Sequence, residues 1–281
     1  MSAGRPGFAA LAAASALFLS SCGANARFER AVAAEKRGVY PRAAELYQDF
    51  SRRYDRDPRS AEALYRAGKI YQTQFRRYAE ARALLESAAR RGHALGPGAE
   101  LWMRLAREAV FHCPDYFPMR PGLKWTFVDS ETGGKNMTQT LTGEGGESYH
   151  VSFQIYAGKN LVQSGKKFYL KENWQLFETA RPGVLKDAVV VLKYPFEKGQ
   201  SWDSRRGNQP VRLQIDDADA AVEVLAGRFA HCLKVREQFA QAAASWKYDY
   251  FAPGVGRVLT TVAGPGFEHR NSELLSFEEP K

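Results

Sequence analysis

Two periodicities divide the chain. In the first third, apolar residues recur every three or four positions. "VYPRAAELYQDFSRRYDRDP" sets Ala43, Tyr47 and Phe50 on one stripe, "PRSAEALYRAGKIYQTQF" does so with Leu64, Gly68 and Tyr71, and "RYAEARALLESAARRG" with Ala81, Leu85 and Ala88. This spacing predicts amphipathic helices. Tyr40 and Tyr78, 38 positions apart, open the second helices of two hairpins; Pro58 and Ser60 mark a helix entry between them, and "GAELWMRLAREAVF" offers a closing helix with Leu101, Trp102, Leu105 and Ala109 inward. From Asp115 onward the period falls to two. "SYHVSFQIYAG" places Tyr149, Val151, Phe153 and Ile155 on one face and His150, Ser152 and Gln154 on the other, a half-buried strand. "WTFVDS", "MTQTLTG", "KKFYLK", "VVVLKYP", "VRLQI", "AVEVL", "HCLKVRE", "WKYDYF" and "GRVLTT" read as further strands, separated by Gly, Asn, Asp and Pro. The expected fold is therefore α+β in two domains: α-helical hairpin repeats at the N-terminus, then an antiparallel β meander at the C-terminus, as a sandwich or a strongly curved open barrel.

One phrase occurs twice in the β-rich part. "YFPMRPGLKW" (residues 116–125) and "KYPFEKGQSW" (193–202) share an aromatic (Phe117, Tyr194), a proline (Pro118, Pro195), a glycine (Gly122, Gly199) and a tryptophan (Trp125, Trp202) at identical spacing. As strand-entry punctuation, proline needs no ladder donor, glycine permits a tight reversal, and tryptophan starts the next strand facing the core. Its recurrence implies internal duplication or reuse of one turn solution. In a second reading the tryptophans line a pocket; the candidate wall of an apolar ligand cavity is Phe153, Trp174 and Trp202.

The N-terminus adds a location. "MSAGRPGFAALAAASALFLSSC" carries one cation, Arg5, then an uncharged run too short to span a bilayer. Its end, Leu19-Ser20-Ser21-Cys22, resembles the lipobox of bacterial lipoproteins. That resemblance implies a signal peptide over 1–21, diacylglycerol transfer to Cys22 and acylation of its new amino group, including palmitate. The resemblance extends to sorting, where Gly23 after the cysteine implies the outer membrane, facing the periplasm. The remaining 22–281 suffices for two domains, placed at 22–112 and 113–281. Residues 27–112 hold 18 basic and 11 acidic side chains against 21 and 20 in residues 113–281, so the helical part carries most of the formal +9. This excess fits a solvated helix surface, or adhesion to anionic headgroups or an acidic envelope partner. Export argues against nucleic acid.

The phrases "ELYQDFSRRY" and "AEALYRAGKIY" make the helical part resemble tetratricopeptide (TPR) repeats, and most of all the TPR lipoproteins of the outer membrane (BamD-like). Gly68 stands where that family keeps a small residue at the helix crossing. The period exceeds the usual 34 or so residues, and Ala31 replaces the glycine of the first hairpin. The resemblance implies a groove of first helices that docks an envelope or outer-membrane protein, with Tyr65, Arg66, Lys69 and Gln72 as candidate partner-binding residues. Packing of Tyr65 between repeats is an equal reading. In the other half, "VLAGRFAHCLKV", "YDYFAPGVGRV" and "DYFPMRPGLKW" resemble an uncharacterised β-rich domain of bacterial envelope lipoproteins. Leu225 and Arg228 depart from its usual proline and threonine.

With Cys22 acylated, Cys113 and Cys232 remain as an even pair in an oxidising compartment, a candidate disulfide. Both follow a histidine, His112 and His231, but sequence neighbours on a strand point apart, which disfavours a shared metal. No metal site, cofactor or catalytic residue is assigned: the chain lacks a zincin helix, a nucleophile elbow and a complete phosphate loop. "DDADA" (Asp216, Asp217, Asp219) lacks the glycine and distal glutamate of a calcium loop and reads as a solvated turn. The expected function is a non-enzymatic, lipid-anchored scaffold that docks partners at the outer membrane. A carrier or sensor for a lipid or other apolar ligand in the β-domain is the alternative, and an enzyme acting on envelope polymers is a third. Replacing Cys22 with serine should abolish palmitate labelling and move the protein to the soluble fraction. Undiminished membrane retention of this variant would contradict the anchor.

Overall fold

A computed structural model of the chain describes residues 9–91, 96–146, 148–242 and 244–280. The first eight residues of the expected signal segment and the side chain of Cys22 lie outside the described residues. The chain divides into two compact units between Pro114 and Asp115.

The first unit contains five helices, α1 (Ala9–Lys36), α2 (Tyr40–Arg53), α3 (Arg59–Thr73), α4 (Tyr78–Arg91) and α5 (Pro97–Phe111). Each packs against the next in sequence, and α3 also meets α5. Phe28 of α1 lies edge-on to Tyr47 and Phe50 of α2, with ring centroids 5.9 and 5.1 Å apart. Ala31, Ala43 and Ala67 are fully buried in the same core. At the α3/α4 crossing a Cβ on Gly68 would lie 2.8 Å from Leu85 Cγ and 3.3 Å from the Ala81 carbonyl oxygen, so only glycine permits this approach. The last helix departs in part from its expected stripe: Ala109 is buried as expected, but Leu101 is 47% exposed, and Met103, Ala106 and Val110 are buried as well. Among the described residues no helix is long and apolar enough to cross a membrane.

The second unit contains twelve strands: β1 (Lys124–Asp129), β2 (Thr138–Glu144), β3 (His150–Ala157), β4 (Asn160–Glu172), β5 (Gln175–Thr179), β6 (Val189–Lys193), β7 (Ser201–Arg206), β8 (Gln209–Val224), β9 (Gly227–Phe239), β10 (Trp246–Ala252), β11 (Gly256–Gly264) and β12 (Phe267–Glu278). They form one antiparallel sheet in the order β6-β5-β4-β3-β2-β1-β12-β11-β10-β9-β8-β7. Two six-strand meanders, β1–β6 and β7–β12, are thus joined through the β1–β12 ladder. The other two edges, β6 and β7, share no ladder but are bridged by side chains. The Trp202 indole N–H donates to the Val190 carbonyl oxygen at 2.9 Å, and the Val190 N–H donates to Ser204 Oγ at 3.0 Å. The sheet is therefore a nearly closed barrel, and the sandwich alternative falls away.

The doubled phrase opens both meanders in the same way. Gly122 and Gly199 have φ of 87° and 91°, in the left-handed region. The Gly122 N–H donates to Gly143 O at 2.8 Å, and the Gly199 N–H to Ile215 O at 2.7 Å; the partner N–H groups return to Leu123 O and Gln200 O at 2.8 and 2.9 Å. Trp125 then pairs with Leu141, and Trp202 with Leu213. The prolines differ, since Tyr194–Pro195 is cis and Phe117–Pro118 is not. "VRLQI" and "AVEVL", expected as two strands, form the single long β8. "DDADA" is not a turn: it lies inside β8, where three register shifts against β9 bend the hairpin. The hairpin tip docks on β12 through Leu225 N–H to Glu273 Oε2 at 3.1 Å and Ala226 N–H to Leu274 O at 2.9 Å. Val224 and Cys232 thereby share a core with Tyr248, Tyr250 and Leu274.

Substituting Gly68 with valine should destabilise the helical unit by about 2 kcal/mol, because overpacking outweighs the gain in helix propensity. Urea unfolding followed by far-UV circular dichroism measures this, and unchanged stability would contradict the close crossing.

Candidate functional site: the lumen of the barrel

Strand alternation sends one face of the sheet inward, where it bounds a cavity of about 310 Å³. One wall is apolar: Trp125 and Phe127 of β1, Leu141 of β2, and Val151, Phe153 and Ile155 of β3. Trp125 is held by its indole N–H, which donates to Val255 O at 2.7 Å. The Phe153 ring lies over Gly165, its cross-strand partner on β4, where a Cβ would come within 2.8 Å of Cζ.

Residues 115–118 strap one end of the barrel. Asp115 accepts the Gly254 N–H at 2.7 Å through its carbonyl and the Lys171 ammonium at 2.8 Å through its carboxylate. The Tyr116 hydroxyl donates to His231 O at 3.1 Å, and its ring meets Phe196 edge-on at 5.2 Å. Phe117 packs on Tyr169 at 4.5 Å and lines the cavity. The two copies of the doubled phrase therefore touch at this end, through Tyr116 and Phe196.

Facing the apolar wall is a network of charges. The Lys167 ammonium and an Arg206 guanidinium nitrogen both donate to Glu178 Oε1, at 2.9 and 3.0 Å, while the Tyr169 hydroxyl donates to Glu178 Oε2 at 2.8 Å. Arg206 also grips Glu237 with two bonds of 2.7 and 2.9 Å. Lys247, directly across the ladder from Glu237, lies 3.2 Å from it and 2.8 Å from Asp249. Asp249 further accepts the Thr260 hydroxyl at 2.6 Å, and Arg257 stands 3.9 Å from it. Burial pushes Glu178 up, but Lys167 and Arg206 outweigh it and hold the carboxyl at about 2. Asp249 is likewise raised by burial and brought down to about 2 by Lys247 and Arg257. Glu237 is also lowered: burial opposes this, and its bond to Arg206 prevails. Burial pushes the Tyr169 hydroxyl up, and the neighbouring Glu178 adds to that. Glu178, Glu237 and Asp249 are thus acceptors locked in the ionised state.

Of the three expected pocket residues, the structure places one in the lumen, Phe153. Trp174 is 43% exposed in the β4–β5 turn, at φ 61°, with its ring against Tyr194. Trp202 is buried, but its ring serves the β6/β7 closure. The candidate partner-binding residues are engaged inside the helical unit. Arg66 bonds Glu62 and Glu35 at 2.8 and 3.0 Å and lies over the Trp102 ring, which Tyr65 also contacts. Lys69 donates to Gln72 at 2.7 Å, and Gln72 donates to the His112 carbonyl. Cys113 and Cys232, the candidate disulfide pair, lie one in each unit as free, buried thiols, 3.8 Å from Tyr78 O and 3.9 Å from Ala230 O respectively. Burial pushes each thiol up to about 12. Sequence reasoning missed Lys167, Glu178, Arg206, Glu237, Lys247, Asp249 and Arg257. The available signal was parity, since Lys247 and Asp249 share the face of Phe251, and Glu237 that of Leu233 and Val235.

No family model matches the chain, and no curated protein does. Two solved structures resemble it. One, from Bacteroides fragilis, is described as an exported protein with a YmcC-like fold; it is 14% identical, covers 58% of this chain and 98% of its own, and has a TM-score of 0.41. The other, from Parabacteroides distasonis, is described as a lipoprotein; it is 15% identical, with the same coverages and a TM-score of 0.36. Neither likeness bears on what this chain does.

The ordinary values for Glu178 and Asp249 are 4.5 and 3.8, and folding lowers both. Their contribution to stability is complete above about pH 5 and is lost as pH falls through about 4 toward 2. Urea unfolding followed by tryptophan fluorescence should show a plateau down to about pH 5, then a decline. Stability that stays level to about pH 2 would contradict an ionised network in the lumen.

Proposed function

We propose that this is a lipid-anchored protein of the bacterial envelope whose barrel carries an apolar ligand in its lumen. The observation that carries the reading is the cavity itself, about 310 Å³ walled by Trp125, Phe127, Leu141, Val151, Phe153 and Ile155. Its size falls at the lower end of small-ligand pockets, and its lining has their usual character, mostly apolar with a few placed polar groups. The lipobox ending in Cys22 supports the anchor, at a membrane where acyl chains are the abundant apolar cargo.

Binding fits the lumen better than catalysis. A general acid needs a carboxyl raised toward neutrality, whereas Glu178 and Asp249 are held at about 2. Cys113 and Cys232 are buried thiols pushed up to about 12, the wrong direction for nucleophiles. The helical unit fits two TPR-like hairpins and a closing helix, and in this account it docks an envelope partner that delivers or receives the cargo. Its docking surface lies away from Tyr65, Arg66, Lys69 and Gln72, which are spent on internal contacts.

Ile155→Trp fills the lumen from β3 without altering the outward face of the strand. It should reduce binding of a solvatochromic apolar dye by roughly tenfold or more, with an unchanged circular dichroism spectrum. Equal dye binding by a folded variant would remove the lumen as the site.

A further inference from the structure

The polar wall of the lumen is asymmetric, and the asymmetry specifies the cargo. Lys167, Arg206, Lys247 and Arg257 face three carboxylates, Glu178, Glu237 and Asp249, leaving one positive charge in excess. The two signs are not equally presented. The four cationic side chains remain 45, 31, 32 and 31% exposed, whereas the three carboxylates are only 15, 5 and 13% exposed. All four cations line the cavity, together with Glu178 and Asp249 but not Glu237, so the lining itself holds four positive charges against two negative ones.

Arg257 stands out among the four. Among the described residues its guanidinium makes no hydrogen bond. Its nearest carboxylate oxygen, Asp249 Oδ1, is 3.9 Å away and already accepts the Thr260 hydroxyl, while Oδ2 is 2.8 Å from Lys247. The guanidinium lies over the Phe127 ring, 4.9 Å from its centroid, where the apolar and charged walls meet. A guanidinium carries five donors in a planar fork matched to carboxylate and phosphate. A surplus charge that loses part of its water in a cavity is costly unless an anion meets it.

We propose that the cargo is an anionic amphiphile, an acyl chain lying against Trp125, Phe127, Leu141 and Phe153 with a carboxylate or phosphate head bound by Arg257 and the neighbouring ammonium of Lys247. This rests on the carrier reading above and adds the charge of the ligand to it. Charge-assisted bonds in a lumen of low polarity are stronger than neutral ones, and selectivity for the anion follows.

The test is calorimetric titration, without detergent, of the full chain carrying Cys22→Ser. Dodecanoate, dodecyl phosphate and uncharged dodecanol share one chain and differ in the head. Both anions should bind about tenfold or more tighter than dodecanol, and the stronger of the two identifies the natural head as carboxylate or phosphate. Arg257→Gln should erase the preference, weakening both anions far more than dodecanol; Arg257→Lys, which keeps the charge, should retain part of it. Equal affinity for all three ligands in the unsubstituted lumen would overturn the anionic head and leave the carrier reading standing. Failure of all three to bind would overturn both.

Discussion

A sheet of twelve strands that curls until its edges meet encloses more space than its inward side chains can fill. Barrels of about eight strands are filled by their own side chains, and larger ones leave a lumen. Everything else in the β unit follows from this excess. The chain spends its aromatic residues on the wall and at one end, where Phe117 packs on Tyr169 and Tyr116 meets Phe196. The remaining cavity is divided between an apolar wall and a charged one. Closure itself depends on two side chains, Trp202 and Ser204, which span from β7 to Val190 where no ladder exists. The same sheet is continuous through the β1–β12 ladder, so the barrel has one joint of backbone bonds and one of side chains.

The charged wall shows how a lumen can stay polar without becoming reactive. Each carboxylate receives several donors, which hold it ionised despite burial, and Arg206 of β7 reaches Glu178 of β5 and Glu237 of β9. Glu237 and Lys247 face each other across one ladder, as do Asp249 and Thr260 across the next. Removing one member of such a network would leave an uncompensated buried charge, which costs several times more than the intact pair contributes. The surplus guanidinium at Arg257 is the exception to this closed accounting, and it lies at the boundary with the aromatic wall.

Much of the fold was legible in the sequence because period and punctuation are local. Ala43, Tyr47 and Phe50 gave a helix stripe and are buried; Val151, Phe153 and Ile155 gave a strand face and line the lumen. The doubled phrase marked the start of each six-strand meander, since its glycine and tryptophan set the same turn twice. What stayed hidden depends on contacts distant in sequence. "DDADA" looks like a turn, yet pairing with β9 draws it into a bent strand. Trp202 is indistinguishable from a pocket residue until β6 is brought beside it. The site's cations sit in "GKKF", "SRRG", "WKYD" and "GRVL", where nothing but parity with apolar neighbours marks a charged residue as facing inward.

The most direct test of a loaded lumen places a photoreactive phenylalanine analogue at Phe153 in living cells, with the same analogue at Gln154, on the other face of β3, as control. Mass spectrometry of the irradiated protein should show an adduct of lipid size on the peptide containing residue 153 and none on the control. Adducts at both positions, or only protein cross-links at 153, would contradict a ligand held inside the barrel.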